Sequence, residues 1–270
     1  MATNSYGSQA LNDGTNYIVH KGDWSDPPLV LLGGEYARRH GGKVNATRFG
    51  TRTYTWEGSV KSTSHADLQD KWDALVLALS KKGQYLTIQE DTDTRRYLCD
   101  AVVVSAPFGV GNLLWVPYTA TATISQPFAE AASASTDTQA ALVLSLVSGS
   151  EYKAAVNITE GGNAPTPPTF TITVPVTGPY GITQLWMLNT SLSPNRYIRL
   201  VQTLAALDVI VFNADTYAIT VNGATAAVTE GAFFDLDPAA AATNALEVHA
   251  LASSAPTLSV VTTWRSRYLS

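Results

Sequence analysis

The sequence is poor in the residues that most often carry chemistry: one cysteine, two methionines and four histidines in 270 residues. A single cysteine closes no internal disulfide, so the fold does not depend on oxidation. Cys99 sits in the apolar run 97–104 and reads as a small buried hydrophobe, since a reactive thiolate needs a cationic or histidine neighbour. His20, His40, His65 and His249 are far apart and show neither His-x-x-x-His nor Cys/His spacing, so no metal site is expected. Charge is scarce too, at 14% of residues, which suits a chain that buries surface against copies or partners. The net charge of −5 and pI near 5.3 lack the basic footprint of a nucleic-acid binder, so no sequence-specific nucleic-acid contact is expected. No apolar run approaches the ~20 residues of a membrane span. The first residues have neither the basic start nor the apolar core of a signal peptide, and the chain reads as a soluble product made in a cytoplasm.

Catalytic signatures are missing as well. There is no Gly-x-Ser-x-Gly anchor for a nucleophilic serine. Gly109 to Gly111 is too short for a phosphate loop and no helix pattern follows it. Asp235 with Asp237, and Glu90 with Asp91 and Asp93, could pair as a glycosidase acid and base, but both sit in turn-like composition and read as solvated turns. No catalytic residue, cofactor or enzyme activity is expected.

What the sequence does contain is a run that organises its first half. Gly50 to Val60 alternates like a strand, placing Tyr54, Trp56 and Val60 on one face. Ser64 to Lys82 reads as an amphipathic helix. Ser64 serves as N-cap with Asp67 three residues on, and Leu68, Trp72, Leu75, Val76 and Leu79 share one face. Lys81 and Lys82 are placed in its last turn, and Gly83 is expected in the left-handed position beyond it. Leu77 points away from that stripe. Residues 84–89 are a strand again, and Tyr97–Val104 and Trp115–Ile124 follow, with Pro117 arguing for an edge position or a bulge. Between the glycines at 33 and 42, and on to residue 52, the cations Arg38, Arg39, Lys43, Arg48 and Arg52 gather in what reads as a long loop or hairpin tip.

Length and pattern suggest two domains. Residues 1–128 read as a β-sandwich or split barrel with one packed helix. Residues 129–139 are small, polar and patternless, a linker, and 140–270 hold about ten short strands with turns, a sandwich of jelly-roll type. Asn222-Gly223, between two alternating runs, is the strongest hairpin signal.

In order along the chain, Leu11 to Val19, the Gly50-x-Arg52-x-x-x-Trp56-x-Gly58 strand, the helix opening at Ser64 with Asp67 and Leu68, and Tyr85 to Ile88 resemble the distal tail protein family of siphophages. Residues 162–170, the 199–209 segment and Tyr217 to Gly223 are similar to that family's galectin-like C-terminal domain. The resemblance implies a structural virion protein at the tip of a long non-contractile tail, assembled in the host cytoplasm. It implies a homo-oligomer, a hexameric ring formed by the N-terminal domains. That ring joins the tail tube and tape-measure proteins to the hub and receptor-binding proteins. Arg38, Arg39, Lys43, Arg48, Arg52 and Leu77 are the candidate subunit-interface residues. The alternative is a carbohydrate-binding module that assists adsorption to the host wall. Galectins bind sugar through a His-x-Asn-x-Arg strand and a stacking Trp. Here Ala250 and Leu251 follow His249, which leaves Trp186 as the candidate carbohydrate contact.

Overall fold

The computed structural model describes residues 4–25, 29–35, 42–90, 93–107, 114–176, 180–227, 230–238 and 243–269. The chain divides into two compact units between Ala132 and Ser133. The segment 129–139 is not a patternless linker: Ala129–Ala131 and Ser135–Val143 are both strands. Its small residues alternate in burial, so each strand fits a pleated, half-buried position despite weak β propensity. Among the described residues no helix is long and apolar enough to cross a membrane.

The first unit holds β1 (Ser5–Tyr6), β2 (Gln9–Ala10), β3 (Tyr17–Trp24), β4 (Leu29–Glu35), β5 (Gly42–Phe49) and β6 (Arg52–Lys61). After α1 (His65–Leu79) come β7 (Gln84–Glu90), β8 (Asp93–Cys99), β9 (Ala101–Ser105), β10 (Trp115–Ile124) and β11 (Ala129–Ala131). One sheet runs β3-β6-β10-β9, a second runs β2-β1-β7-β8-β11, and β4 with β5 forms a separate two-stranded hairpin. Within the stretch expected to be a loop, pairing thus continues to Glu35 and resumes at Gly42.

Strand β6 is the backbone of this unit. It pairs with β10 over its whole length, from Trp115 opposite Lys61 to Ile124 opposite Arg52. Period-two alternation sends Arg52, Tyr54, Trp56, Gly58 and Val60 inward, all buried. Gly58 is required by close approach: a Cβ there would lie 2.7 Å from the Tyr118 ring and 2.8 Å from the Ile18 carbonyl oxygen. Pro117, expected at an edge or bulge, lies in the central strand β10. Pairing with β9 begins only at Thr119, so the missing N–H of Pro117 breaks no bond on that side.

The second unit is an antiparallel sandwich. Its strands are β12 (Ser135–Val143), β13 (Ser145–Ser148), β14 (Glu151–Ile158), β15 (Thr169–Thr173), β16 (Ile182–Asn189), β17 (Arg196–Leu204) and β18 (Val209–Asn213). β19 (Ala218–Val221), β20 (Ala224–Ala226), β21 (Glu230–Gly231), β22 (Asn244–Leu251), β23 (Thr257–Trp264) and β24 (Arg267–Tyr268) follow. Two six-stranded sheets, β12-β23-β15-β18-β19-β20 and β13-β14-β22-β16-β17-β21, enclose one core. Phe170, Ile172, Ile210 and Phe212 from the first meet Leu185, Met187, Leu246 and Val248 from the second. Asn222 and Gly223 both take positive φ, 52° and 79°, and join Val221 to Ala224 as the hairpin signal predicts.

Replacing Gly58 by alanine forces the Tyr118 ring out of its place. Gly58→Ala should lower stability by roughly 1–3 kcal/mol, read as a shift in the urea midpoint at unchanged slope.

Candidate functional surfaces

Helix α1 begins at Ser64, whose side chain accepts a hydrogen bond from the Asp67 amide at 3.2 Å. The return arm of the cap runs through a third residue. The Ser64 amide donates to Ser62 Oγ, and that hydroxyl donates to the Asp67 carboxylate, which also holds Lys71 Nζ at 2.6 Å. Those two bonds, Lys71 first and Ser62 second, keep the exposed Asp67 carboxyl below its ordinary pKa. The helix ends at Leu79 with Ser80 as C-cap, so Lys81 and Lys82 lie beyond it rather than in its last turn. Gly83 does take positive φ, 66°, but as the turn into β7, where its amide bonds to the Cys99 carbonyl.

Leu68, Leu75 and Leu79 are buried and Trp72 is half-buried, its ring 6.1 Å from that of Tyr118. Val76, at the margin of the predicted stripe, is 38% exposed, and Leu77 on the far side is 66% exposed. The helix lies against β6, β9 and β10. On those strands Val103 and Trp115 are exposed as well. Among the described residues strand β9 pairs only with β10 in its sheet. Register puts Val103 opposite Thr121 and Thr55, so the unit presents large apolar side chains on the helix and, on the other face of the sheet, along its edge.

Of the candidate cations, the described residues place one side chain, that of Arg52. Arg38 and Arg39 lie outside the described residues, and Lys43 and Arg48 are on β5 with side chains outside the described part. Arg52 is a correction: it is 1% exposed and belongs to the core of its own unit. Its guanidinium lies 4.1 Å from the centroid of Trp24 and 5.6 Å from that of Tyr97, and Nη1 donates to the Pro127 carbonyl at 3.2 Å. A weakly hydrated planar cation is the charge that such a ring-lined site tolerates. The alternation that sends Tyr54 and Trp56 inward places Arg52 there as well, a signal legible in the sequence.

Trp186 is the second correction. It is 8% exposed, stacked on His249 at 5.0 Å and 19°, with the Arg199 guanidinium 4.7 Å from its ring centroid. Both neighbours come from strand register. Across the outer face of this sheet run Lys153, His249, Trp186, Arg199 and Glu230, each opposite the next. The ring is covered by its own sheet and offers no face to a sugar. Around it the charges interlock. His249 Nδ1 is 2.9 Å from Glu151 Oε1, its Nε2 is 2.8 Å from Glu247 Oε2, and Lys153 Nζ lies 2.8 Å from Glu247 Oε1. At the other end Glu230 accepts from Tyr197 Oη and Arg199 Nη1.

Residues 161–268 match the family model of the siphovirus-type tail component, C-terminal domain (SPP1_Dit). The solved structure of the SPP1 Dit (gp 19.1) protein superposes over 99% of this chain and 99% of its own, with a TM-score of 0.65 at 16% identity. The chain has the fold of a siphophage distal tail protein. The baseplate of phage P2 in its activated conformation with Ca is also similar. It covers 97% of this chain and 98% of the matched chain, with a TM-score of 0.48 at 10% identity. A comparison with curated proteins matches none. In this distal tail fold the Gly-x-Arg-x-x-x-Trp-x-Gly strand is a packing motif. Arg52, Trp56 and Gly58 all face the unit's interior.

The ladder around Trp186 gives a pH signature. Burial pushes the Glu247 carboxyl up, but the bonds from Lys153 and His249 outweigh it and hold it below its ordinary value of 4.5. A depressed carboxyl stabilises the fold fully above its unfolded pKa and loses that contribution as pH falls through the folded one. The stability gap between the native chain and Glu247→Gln should be open at about pH 5 and close on further acidification, as urea melts at stepped pH will show.

Proposed function

We propose that this chain is a structural virion protein of a long non-contractile phage tail. Its N-terminal units associate into a hexameric ring at the distal tip, between the tail tube and tape-measure proteins above and the hub or receptor-binding proteins below. No catalytic role is part of this reading. The observation that carries it is the pair of exposed apolar side chains on the helix, Val76 and Leu77, beside the edge strand β9, on a unit whose fold matches the protein described as a paradigm of the hub adsorption apparatus of phages infecting Gram-positive bacteria. Val76 and Leu77 in water cost free energy that burial against a second copy returns at about 25 cal/mol per Å². A patch that meets a different patch on the next copy gives a head-to-tail contact, which closes into a ring when the rotation allows. The low charge content suits a subunit that hides part of its surface in this way.

Static light scattering of the purified protein should report six copies, and negative-stain images a ring with a central hole; a monomer at high concentration overturns the reading. Leu77→Asp should leave the isolated subunit's stability within about 0.5 kcal/mol of the native value, because the site is exposed. The same substitution should abolish the ring, because a charge cannot be buried unpaired at a contact. Thermal melts and size-exclusion chromatography read the two effects separately.

A further inference from the structure

The turn that joins β19 to β20 carries the one Asn-Gly pair in the sequence, Asn222-Gly223. Both residues are exposed, and a Cβ at Gly223 would meet nothing within 4 Å. An asparagine followed by glycine has a reactive neighbour, because no Cβ shields the next amide nitrogen from the side-chain carbonyl carbon.

The reaction open to such a pair is deamidation. The Gly223 nitrogen, its proton lost to solvent, bonds to Asn222 Cγ, and the Cγ–Nδ2 bond breaks. Nδ2 takes a proton from water and leaves as ammonia, which closes a cyclic imide. Water then adds to either imide carbonyl and opens the ring to aspartate or isoaspartate. Nothing is oxidised or reduced, and water is the only co-reactant.

The fold opposes each of these steps. Asn222 Oδ1 accepts from the Val209 amide at 2.9 Å, and Nδ2 donates to Asp208 Oδ1 at 2.8 Å. The Asn222 amide donates to the Val209 carbonyl at 2.8 Å. Asp208 is itself fixed, with Oδ2 accepting from the Ala205 amide at 2.7 Å and its carbonyl accepting from the Val174 amide at 3.0 Å. The hairpin tip is thus clasped to the turn between β17 and β18. Attack would turn Cγ tetrahedral against two bonds anchored on that other turn. It would also develop negative charge beside the Asp208 carboxylate, which raises the barrier.

We propose that Asn222 is a deamidation site, held closed by this clasp in the native fold, whose conversion releases the edge of the sheet. Deamidation replaces the Nδ2 donor by a carboxylate oxygen, so two carboxylates face each other where a hydrogen bond stood. Isoaspartate also lengthens the backbone of a two-residue turn whose register sets Val221 opposite Ala224. Among the described residues β20 is the outer strand of its sheet and pairs only with β19, so no other strand holds it once the turn fails. Chains that open here are marked permanently, and chains that stay closed are spared.

The test incubates the full-length protein at neutral pH, folded in buffer and unfolded in guanidinium chloride, and quantifies the peptide spanning residue 222 by mass spectrometry. Conversion at Asn222 should be slower by about tenfold or more in the folded chain. Asp208→Ala should quicken it several-fold in the folded chain and leave the unfolded rate unchanged. Asn222→Asp, which makes the aspartyl product directly, should lower the urea midpoint. Adding Asp208→Asn should restore it, because an amide again faces a carboxylate. That pair of variants carries the test should Asp208→Ala fold poorly. Equal conversion in the folded and unfolded chains overturns the proposal, as does a folded rate that Asp208→Ala leaves unchanged. A midpoint that Asn222→Asp does not lower, or that Asp208→Asn does not restore, overturns it too.

Discussion

The inward face of β6 is the constraint on which the N-terminal unit depends. In five alternate positions it places a guanidinium, two aromatic rings, a glycine and a valine. Each is explained by what lies across from it. Trp24 and Tyr97 take the cation, the Tyr118 ring occupies the space a side chain at 58 would need, and Leu68, Leu75 and Leu79 of the helix are buried over the sheet. Full-length pairing with β10 fixes the register, and a slip by one residue would bring Arg52 to the surface and bury Thr53 and Thr55. A unit locked this way can leave its helix's outer face and a strand edge unsatisfied without losing its shape.

The C-terminal sandwich solves a different problem on its outer sheet. A large ring at position 186, facing away from the core, would be a sticky patch if left open. Pairing sets His249 on one side of it and Arg199 on the other. The carboxylates of Glu151, Glu247 and Glu230 then anchor those two groups. The result is a closed polar surface over an aromatic centre, with long-range charge pairs that a solvent-exposed strand would not hold. Aromatic surface left open in this unit appears instead at Tyr217, whose ring meets Phe233 edge to face and stays 72% exposed.

Much of the molecule was legible because its signals are local. The phase of the helix put Leu77 opposite Leu68, Leu75 and Leu79, and the exposures agree. Asn222-Gly223 named its turn, and all-β character followed from alternation and turn spacing. Arg52 departs from the expected cation surface because nearness in sequence does not set the direction of a side chain. Arg52 differs from its neighbours by lying in phase with Tyr54 and Trp56. Pro117 meets the edge expected of it locally, since β9 stops short of it, although β10 is central in the sheet order. The segment 129–139 looked like a linker because small polar residues show weak alternation, though two strands run through it.

The sequence by itself determined which residues face together along each strand and around the helix, where turns fall, and that the chain is built from antiparallel β-structure. Those properties depend on periods of two and 3.6 residues and on the φ preferences of Gly and Asn, which need no distant partner. Tertiary structure alone decided which outward residues meet water. Trp186 is closed off by His249, 63 residues further along the chain, whereas Tyr217 stays largely exposed. Burial is a property of what packs against a side chain, and in a β-sandwich that neighbour is chosen by strand order, which alternation does not encode.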